Sequence, residues 1–190
     1  MITFDDGYAD LAGHAFPVLE RYGMTATVFV VTGRMGGQDD WNDPLGGDRF
    51  NLLSETDIVH WNARGIEFGS HGRTHRDLVA LDLDTLVWEI EGSRADLARL
   101  LRTEPAAIAY PFGSYDARVT EVARRYYALG FTIREGFHRN SADPLQVPRL
   151  QVLPRDTTFD LRLDVTFGTS LWNHLKGRVV RLRQGALRRE

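Results

Sequence analysis

The chain has no cysteine among its 190 residues. Disulfides, thiolate metal sites and cysteine nucleophiles are excluded. Any metal must be held by His, Asp or Glu, a donor set that suits zinc, with cobalt or nickel as substitutes. The sequence also lacks any run of eighteen uninterrupted apolar residues, so it offers no candidate membrane-spanning helix. Residues 1–8 (MITFDDGY) lack the basic start and long apolar stretch of a signal peptide. The compartment stays open: cytoplasmic, or exported if upstream sequence is missing. Hydrophobic residues make up 43% and charged residues 26%, ordinary values for one domain with a sizeable core.

Net charge is −3 but unevenly spread. Residues 171–190 carry Lys176, Arg178, Arg181, Arg183, Arg188 and Arg189 against Glu190, which leaves −8 for the remainder. A body this acidic argues against nucleic acid as partner. The tail alternates Leu, Trp and Val with basic residues. Such a segment can lie on a membrane surface, or dock as a terminal helix on the acidic body. The second is the expectation, with residues 1–155 as the main domain and 156–190 as a basic, helical extension.

Strand signals alternate with helix signals. Met1–Asp5, Thr25–Val31, Ile66–Ser70, Ala107–Tyr110 and Phe131–Ile133 read as strands. Residues 9–22, a helix beginning at Ser54 with Asp57 as capping partner, Asp82–Arg102 and Asp116–Ala128 read as helical. Pro17 marks a kink or a helix start. This alternation predicts a parallel α/β sheet, open or closed into a barrel, with chemistry at the C-terminal strand ends. Three polar clusters follow predicted strands: Asp5-Asp6, His71 to His75, and Pro111 to Tyr115.

Two adjacent carboxylates at a strand end repel each other unless a cation is present. A metal that takes one as ligand leaves the other free as a base, although an acidic turn gives the same tripeptide Asp5-Asp6-Gly7. In Ser70-His71-Gly72-Arg73-Thr74-His75, two histidines four apart can converge on one ion, and Gly72 favours a tight turn over a helix. Two unrelated histidines are the alternative. Asp77 is a candidate to orient an imidazole, or a plain loop carboxylate. One Asp with two His leaves coordination positions open, as catalytic sites require.

Thr3-Phe4-Asp5-Asp6-Gly7-Tyr8, Ser70 to His75, and Tyr110-Pro111-Phe112-Gly113 together resemble the ordered motifs of polysaccharide deacetylases. These are the NodB-homology domains of the family-4 carbohydrate esterases; the chain is most similar to the exopolysaccharide-type branch. Val147-Pro148-Arg149-Leu150-Gln151-Val152 is similar to a stretch near the end of that domain, so the resemblance runs from residue 2 to about 153. It implies a distorted (β/α) barrel of about seven parallel strands. It implies a metal triad of Asp6, His71 and His75, with Asp5 as catalytic base and the Phe112 backbone N–H as oxyanion donor. It also implies removal of an acetyl group, N-acetyl foremost, from an acetylated carbohydrate.

The pattern departs from the family's in three places. Ala109 stands where an Arg usually braces the base, and no Asp-x-x-Asp-Trp motif follows residue 115. The stretch Leu150-Gln151-Val152-Leu153 holds no His, leaving His138, the only later histidine before the C-terminal tail, as the candidate acid and Arg149 as a candidate brace. Tyr8, Pro111, Tyr115 and Trp41 are candidate substrate contacts, and Asp39, Asp40 and Asn42 share the long loop with Trp41. Trp88 and Trp61 read as structural, Trp88 as core. A hydrolase of small non-sugar amides and a non-catalytic carbohydrate binder are the rival functions; a binder has no need of a free base beside a metal.

Overall fold

A computed structural model describes residues 1–41, 48–154 and 156–168. They fall into two compact units. The first holds Met1–Thr132 with Asp143–Gln146; the second holds Ile133–Ala142 and the chain from Val147.

The first unit is built on a parallel sheet of β1 (Ile2–Phe4), β2 (Ala26–Val30), β3 (Glu67–Ser70), β4 (Ala107–Ala109) and β5 (Leu129–Phe131), ordered as in the chain. Each strand pairs with its sequence neighbour, in registers such as Thr3 with Thr27, Phe29 with Gly69, and Ile108 with Gly130. Sequential parallel order is the wall pattern of a (β/α) barrel. The described residues supply five strands rather than about seven. β2 reads Ala-Thr-Val-Phe-Val and is buried at every position, as expected of a parallel strand covered on both faces.

Four helices belong to this unit: α1 (Ala15–Arg21), α2 (Glu55–Asn62), α3 (Leu83–Leu101) and α4 (Ala117–Arg124). The segment 9–22 is not one helix. A 3-10 turn at Ala9–Ala12 precedes α1, and Pro17 falls in the first turn of α1, where its missing N–H costs no helical bond. Ser54 and Asp57 form the capping box of α2. Asp82 caps α3 by accepting the Thr85 N–H at 2.8 Å, and left-handed Arg102 ends it. α3 buries Leu86, Ile90 and Leu97, each worth about 1.5–3 kcal/mol of removed apolar surface. Leu83 and Trp88 face outward, so Trp88 is not core. Trp61 does pack, with its ring 5.1 Å from Phe16.

β5 begins two residues earlier than expected. The Phe131 carbonyl accepts the Tyr110 N–H at 3.1 Å, and by Ile133 the chain is exposed. In the second unit, Thr157 and Asp160 cap α5 (Thr158–Phe167), which ends at left-handed Gly168. No helix among the described residues is long and apolar enough to cross a membrane. The tail 171–190 and Asn42 lie outside the described residues.

Candidate metal centre

Asp6 follows the end of β1, and His71 follows the end of β3, two strands that flank β2. The chain then turns back so that His75 faces the same point. Asp6 Oδ1 lies 3.3 Å from His71 Nε2 and 3.2 Å from His75 Nε2. Both imidazoles are buried and Asp6 is partly so. His71 is oriented by its other nitrogen, which lies 2.8 Å from the Ala109 carbonyl at the end of β4. That contact fixes Nδ1 as the donor and turns the Nε2 lone pair inward.

Backbone geometry marks the same place. Four non-glycine residues among those described have positive φ. Three are Asp6 (69°), His75 (56°) and Phe112 (57°); the fourth, Arg102, ends α3. Left-handed backbone at a residue with a Cβ costs about 1–2 kcal/mol, and such outliers cluster where a site demands an unusual side-chain direction.

Burial raises the Asp6 carboxyl, but the two imidazoles beside it outweigh that and hold it well below the usual carboxylate range. The side chain is therefore an anion at neutral pH. His75 faces Asp6 through Nε2, and its buried Nδ1 has no hydrogen-bond partner among the described residues. One carboxylate and two imidazoles offer ligand atoms within 4.8 Å of one another, a donor set that fits a borderline divalent cation.

Aromatic rings surround His75. The Trp41 ring stacks on it at 4.3 Å and 24°, and the Phe112 ring meets it edge-on at 4.5 Å. Phe112 sits on a tight turn in which the Gly113 N–H donates to the Tyr110 carbonyl at 2.8 Å. Tyr8 begins a neighbouring cleft of about 450 Å³, lined by Tyr8, Ala9, Asp10, Phe50 and Asn51. Its phenol is pushed up by burial and by the nearby carboxylates of Asp6 and Asp39.

The residues matching the description "Polysaccharide deacetylase" run from 1 to 130. The chain belongs to the polysaccharide deacetylase family. It is 28% identical over 164 residues to the poly-beta-1,6-N-acetyl-D-glucosamine N-deacetylase of Staphylococcus epidermidis, covering 80% of this chain and 53% of that one. The chain spans about half the length of the curated relatives it matches. Among solved structures, the Streptococcus pyogenes deacetylase PplD in complex with acetate superposes with a TM-score of 0.75 at 28% identity, over 85% of this chain and 67% of that one. IcaB from Ammonifex degensii superposes with a TM-score of 0.67 at 27% identity, over 81% and 67%.

Most family-motif residues thus meet at one point. Asp6, His71, His75, Phe112 and Trp41 converge, Asp5 precedes Asp6 in the chain, and Pro111 opens the Phe112 turn. Tyr115 stacks on Tyr110 at 5.3 Å and packs against the core. His138 and Arg149 belong to the second unit, where His138 is exposed and the Arg149 N–H donates to the Arg134 carbonyl at 2.9 Å. Several loop expectations change. Asp39 is buried and accepts from the Phe50 N–H (2.6 Å) and the Tyr8 hydroxyl (3.2 Å), so it anchors the loop. Asp40 pairs with Arg34 at the surface. Asp77 caps a turn by accepting the Val79 N–H.

Sequence reasoning missed the Ala109 carbonyl and two buried acids of α3, Glu89 and Asp96. Ala109 was legible only as an absent Arg. The signal for Glu89 was its place on the apolar stripe, three residues after Leu86 and one before Ile90.

Proposed function

We propose that this chain is the catalytic domain of a metal-dependent hydrolase that removes acetyl groups, N-acetyl foremost, from a poly- or oligosaccharide. The observation that carries this is a single carboxylate oxygen of Asp6 within 3.3 Å of two buried imidazoles, with a second carboxylate, Asp5, next in the chain. Asp6, His71 and His75 would hold the ion, zinc by the chemistry of the donors. When bound, such an ion supplies Lewis acidity, making water more acidic and polarising an acyl carbonyl.

The chain's own residues supply the rest. Asp5 takes a proton from the attacking water. The Phe112 N–H donates to the oxygen on which negative charge develops. The Trp41 and Phe112 rings wall the space beside His75 and exclude water from the acetyl group. The cleft from Tyr8 to Asn51 offers the exposed Phe50 ring for stacking, with Asp10 and Asn51 as polar partners for sugar hydroxyls. Tyr115 and Pro111 support that wall.

The S. epidermidis relative is named for a β-1,6-linked N-acetylglucosamine polymer, and the S. pyogenes relative was solved with acetate, the product such a reaction releases. Acetate release is therefore to be measured on β-1,6-linked N-acetylglucosamine oligomers, acetylxylan and small amides, with and without added zinc or cobalt. Zinc-dependent release from the oligomers is expected. Release from small amides alone would overturn the sugar assignment. Full activity in Asp5→Asn would overturn the mechanism.

A further inference from the structure

Of the three residues between the imidazoles, Arg73 and Thr74 are gripped by α3. Glu89 is 0% exposed. Its Oε2 accepts the backbone N–H of Arg73 at 2.7 Å and of Thr74 at 3.0 Å, and its Oε1 accepts the Thr74 hydroxyl. The other flank of the turn is fastened to the exit of β2. There the Thr32 N–H donates to the Gly72 carbonyl at 3.1 Å and the Gly33 N–H to the Arg73 carbonyl at 2.8 Å.

The Arg73 side chain takes a separate path. It crosses α3 at Gly92, where a Cβ would lie 2.6 Å from Arg73 Cδ. Its guanidinium sits 4.4 Å over the Trp88 ring and pairs with Asp96 at 2.9 and 3.2 Å. Trp88, Gly92 and Asp96 are spaced by four, so one face of the helix receives the whole side chain. Asp96 also accepts the Thr32 hydroxyl at 3.0 Å. Asp96 thus holds the Arg73 side chain, whereas Glu89 holds the backbone on which both imidazoles are mounted.

Burying a carboxylate is costly unless its partners are fixed, and a hydrophobic residue would fill the same space more cheaply. Among the described residues, three donors reach Glu89, all from the turn between the ligands, and Gly72, at φ +75°, would bring a Cβ within 3.1 Å of Glu89 Oε2. Ligand atoms must sit within about 0.2 Å of ideal distances for tight binding. A turn left to find its own conformation would have to be ordered by the ion, and affinity would fall by that cost.

We infer that Glu89 is a positioning residue for the metal: it presets the His71–His75 turn, so its loss weakens metal binding beyond what general loosening of the fold would do. This rests on the assignment of Asp6, His71 and His75 as ligands. The test uses the full chain, zinc alone as probe, competition with a chromophoric chelator for the dissociation constant, and the thermal midpoint of the metal-free protein. Glu89→Gln is expected to raise the zinc dissociation constant about tenfold, the low end for outer partners of metal ligands. Thr74→Val, which removes one of the three bonds, is expected to raise it less. Asp96→Asn is expected to lower the midpoint and leave zinc affinity unchanged. Wild-type zinc affinity in Glu89→Gln overturns the inference, as does an equal loss in Asp96→Asn. If Glu89→Gln does not fold, wild-type affinity in Thr74→Val overturns it. A wild-type chain that binds no zinc overturns the ligand assignment itself, and that control separates the two failures.

Discussion

The metal centre and the α3 clamp both draw carboxylates away from solvent, Asp6 in part and Glu89 and Asp96 almost wholly, and they treat them oppositely. In the clamp, Glu89 accepts three hydrogen bonds and Asp96 accepts from Arg73 and Thr32. In the centre, one Asp6 oxygen faces the Nε2 atoms of two imidazoles, and the buried His75 Nδ1 has no partner among the described residues. Buried charges whose partners are all in place rigidify a fold, whereas a carboxylate set against two imidazoles is a donor set that an ion would complete. The strained residues Asp6, His75 and Phe112 fall at the centre. Asp96 is thus assigned to stability, Glu89 to the preset turn and the proposed chemistry to the centre, and variants of the three should fail in different ways.

The largest effect is expected at the centre. Asp5→Asn should reduce acetate release about 10²–10⁴-fold, the range a positioned base contributes. Its metal content and thermal midpoint should stay at wild-type values; loss of bound zinc in that variant would make Asp5 a ligand and not a base. Next comes the clamp. Asp96→Ala leaves the Arg73 guanidinium without its carboxylate partner and should cost about 1–3 kcal/mol of unfolding free energy by urea titration. Retained activity in the surviving folded fraction would sharpen the division; an activity loss beyond the unfolded fraction would break it.

A smaller effect concerns substrate. Trp41→Ala removes the ring stacked on His75. It should raise KM for oligosaccharides by about tenfold, the worth of one aromatic contact of roughly 1 kcal/mol or slightly more, and change kcat less. An unchanged KM would place the sugar elsewhere.

The smallest effect is alkaline. Burial pushes the Tyr127 phenol up to about 12, behind the clamp, where it lies 3.1 Å from both the Ser93 hydroxyl and the Ile90 carbonyl. The folded state then holds this proton more tightly than the unfolded chain. Its contribution is present below the ordinary tyrosine value of about 10 and is lost as pH rises through 12. Tyr127→Phe should cost about 1 kcal/mol at pH 8 and show a shallower fall in midpoint between pH 9 and 11. Parallel curves for the two proteins would refute the shift.

The ligands were legible in the sequence because metal chemistry restricts residue types and because each cluster follows a β-branched or apolar run. Asp57 and Asp82 announced their caps by local spacing alone. What was hidden depends on contacts between distant segments. Glu89 stands on the apolar stripe of α3, but its partners stay hidden until the turn sixteen residues earlier is folded onto it. Trp88 reads as core until Arg73 is seen to lie across it from outside. The Ala109 carbonyl is invisible to any residue-type argument, since every residue has one. Asp39 reads only as one acid of a long loop, because loop composition cannot reveal that a carboxylate turns inward to hold its own loop.

The meeting of Asp6 with His71 and His75 has one more consequence. A chain without cysteine has no covalent brace, yet an ion held here would tie the end of β1 to the end of β3 across the intervening β2. It would close a loop of some sixty residues in a single event, as a disulfide does, but reversibly. Any ligand bound only by the folded state raises the free energy of unfolding, by about 2.7 kcal/mol at a hundred times its dissociation constant. Metal supply would then govern how long the domain survives unfolding as well as how fast it works.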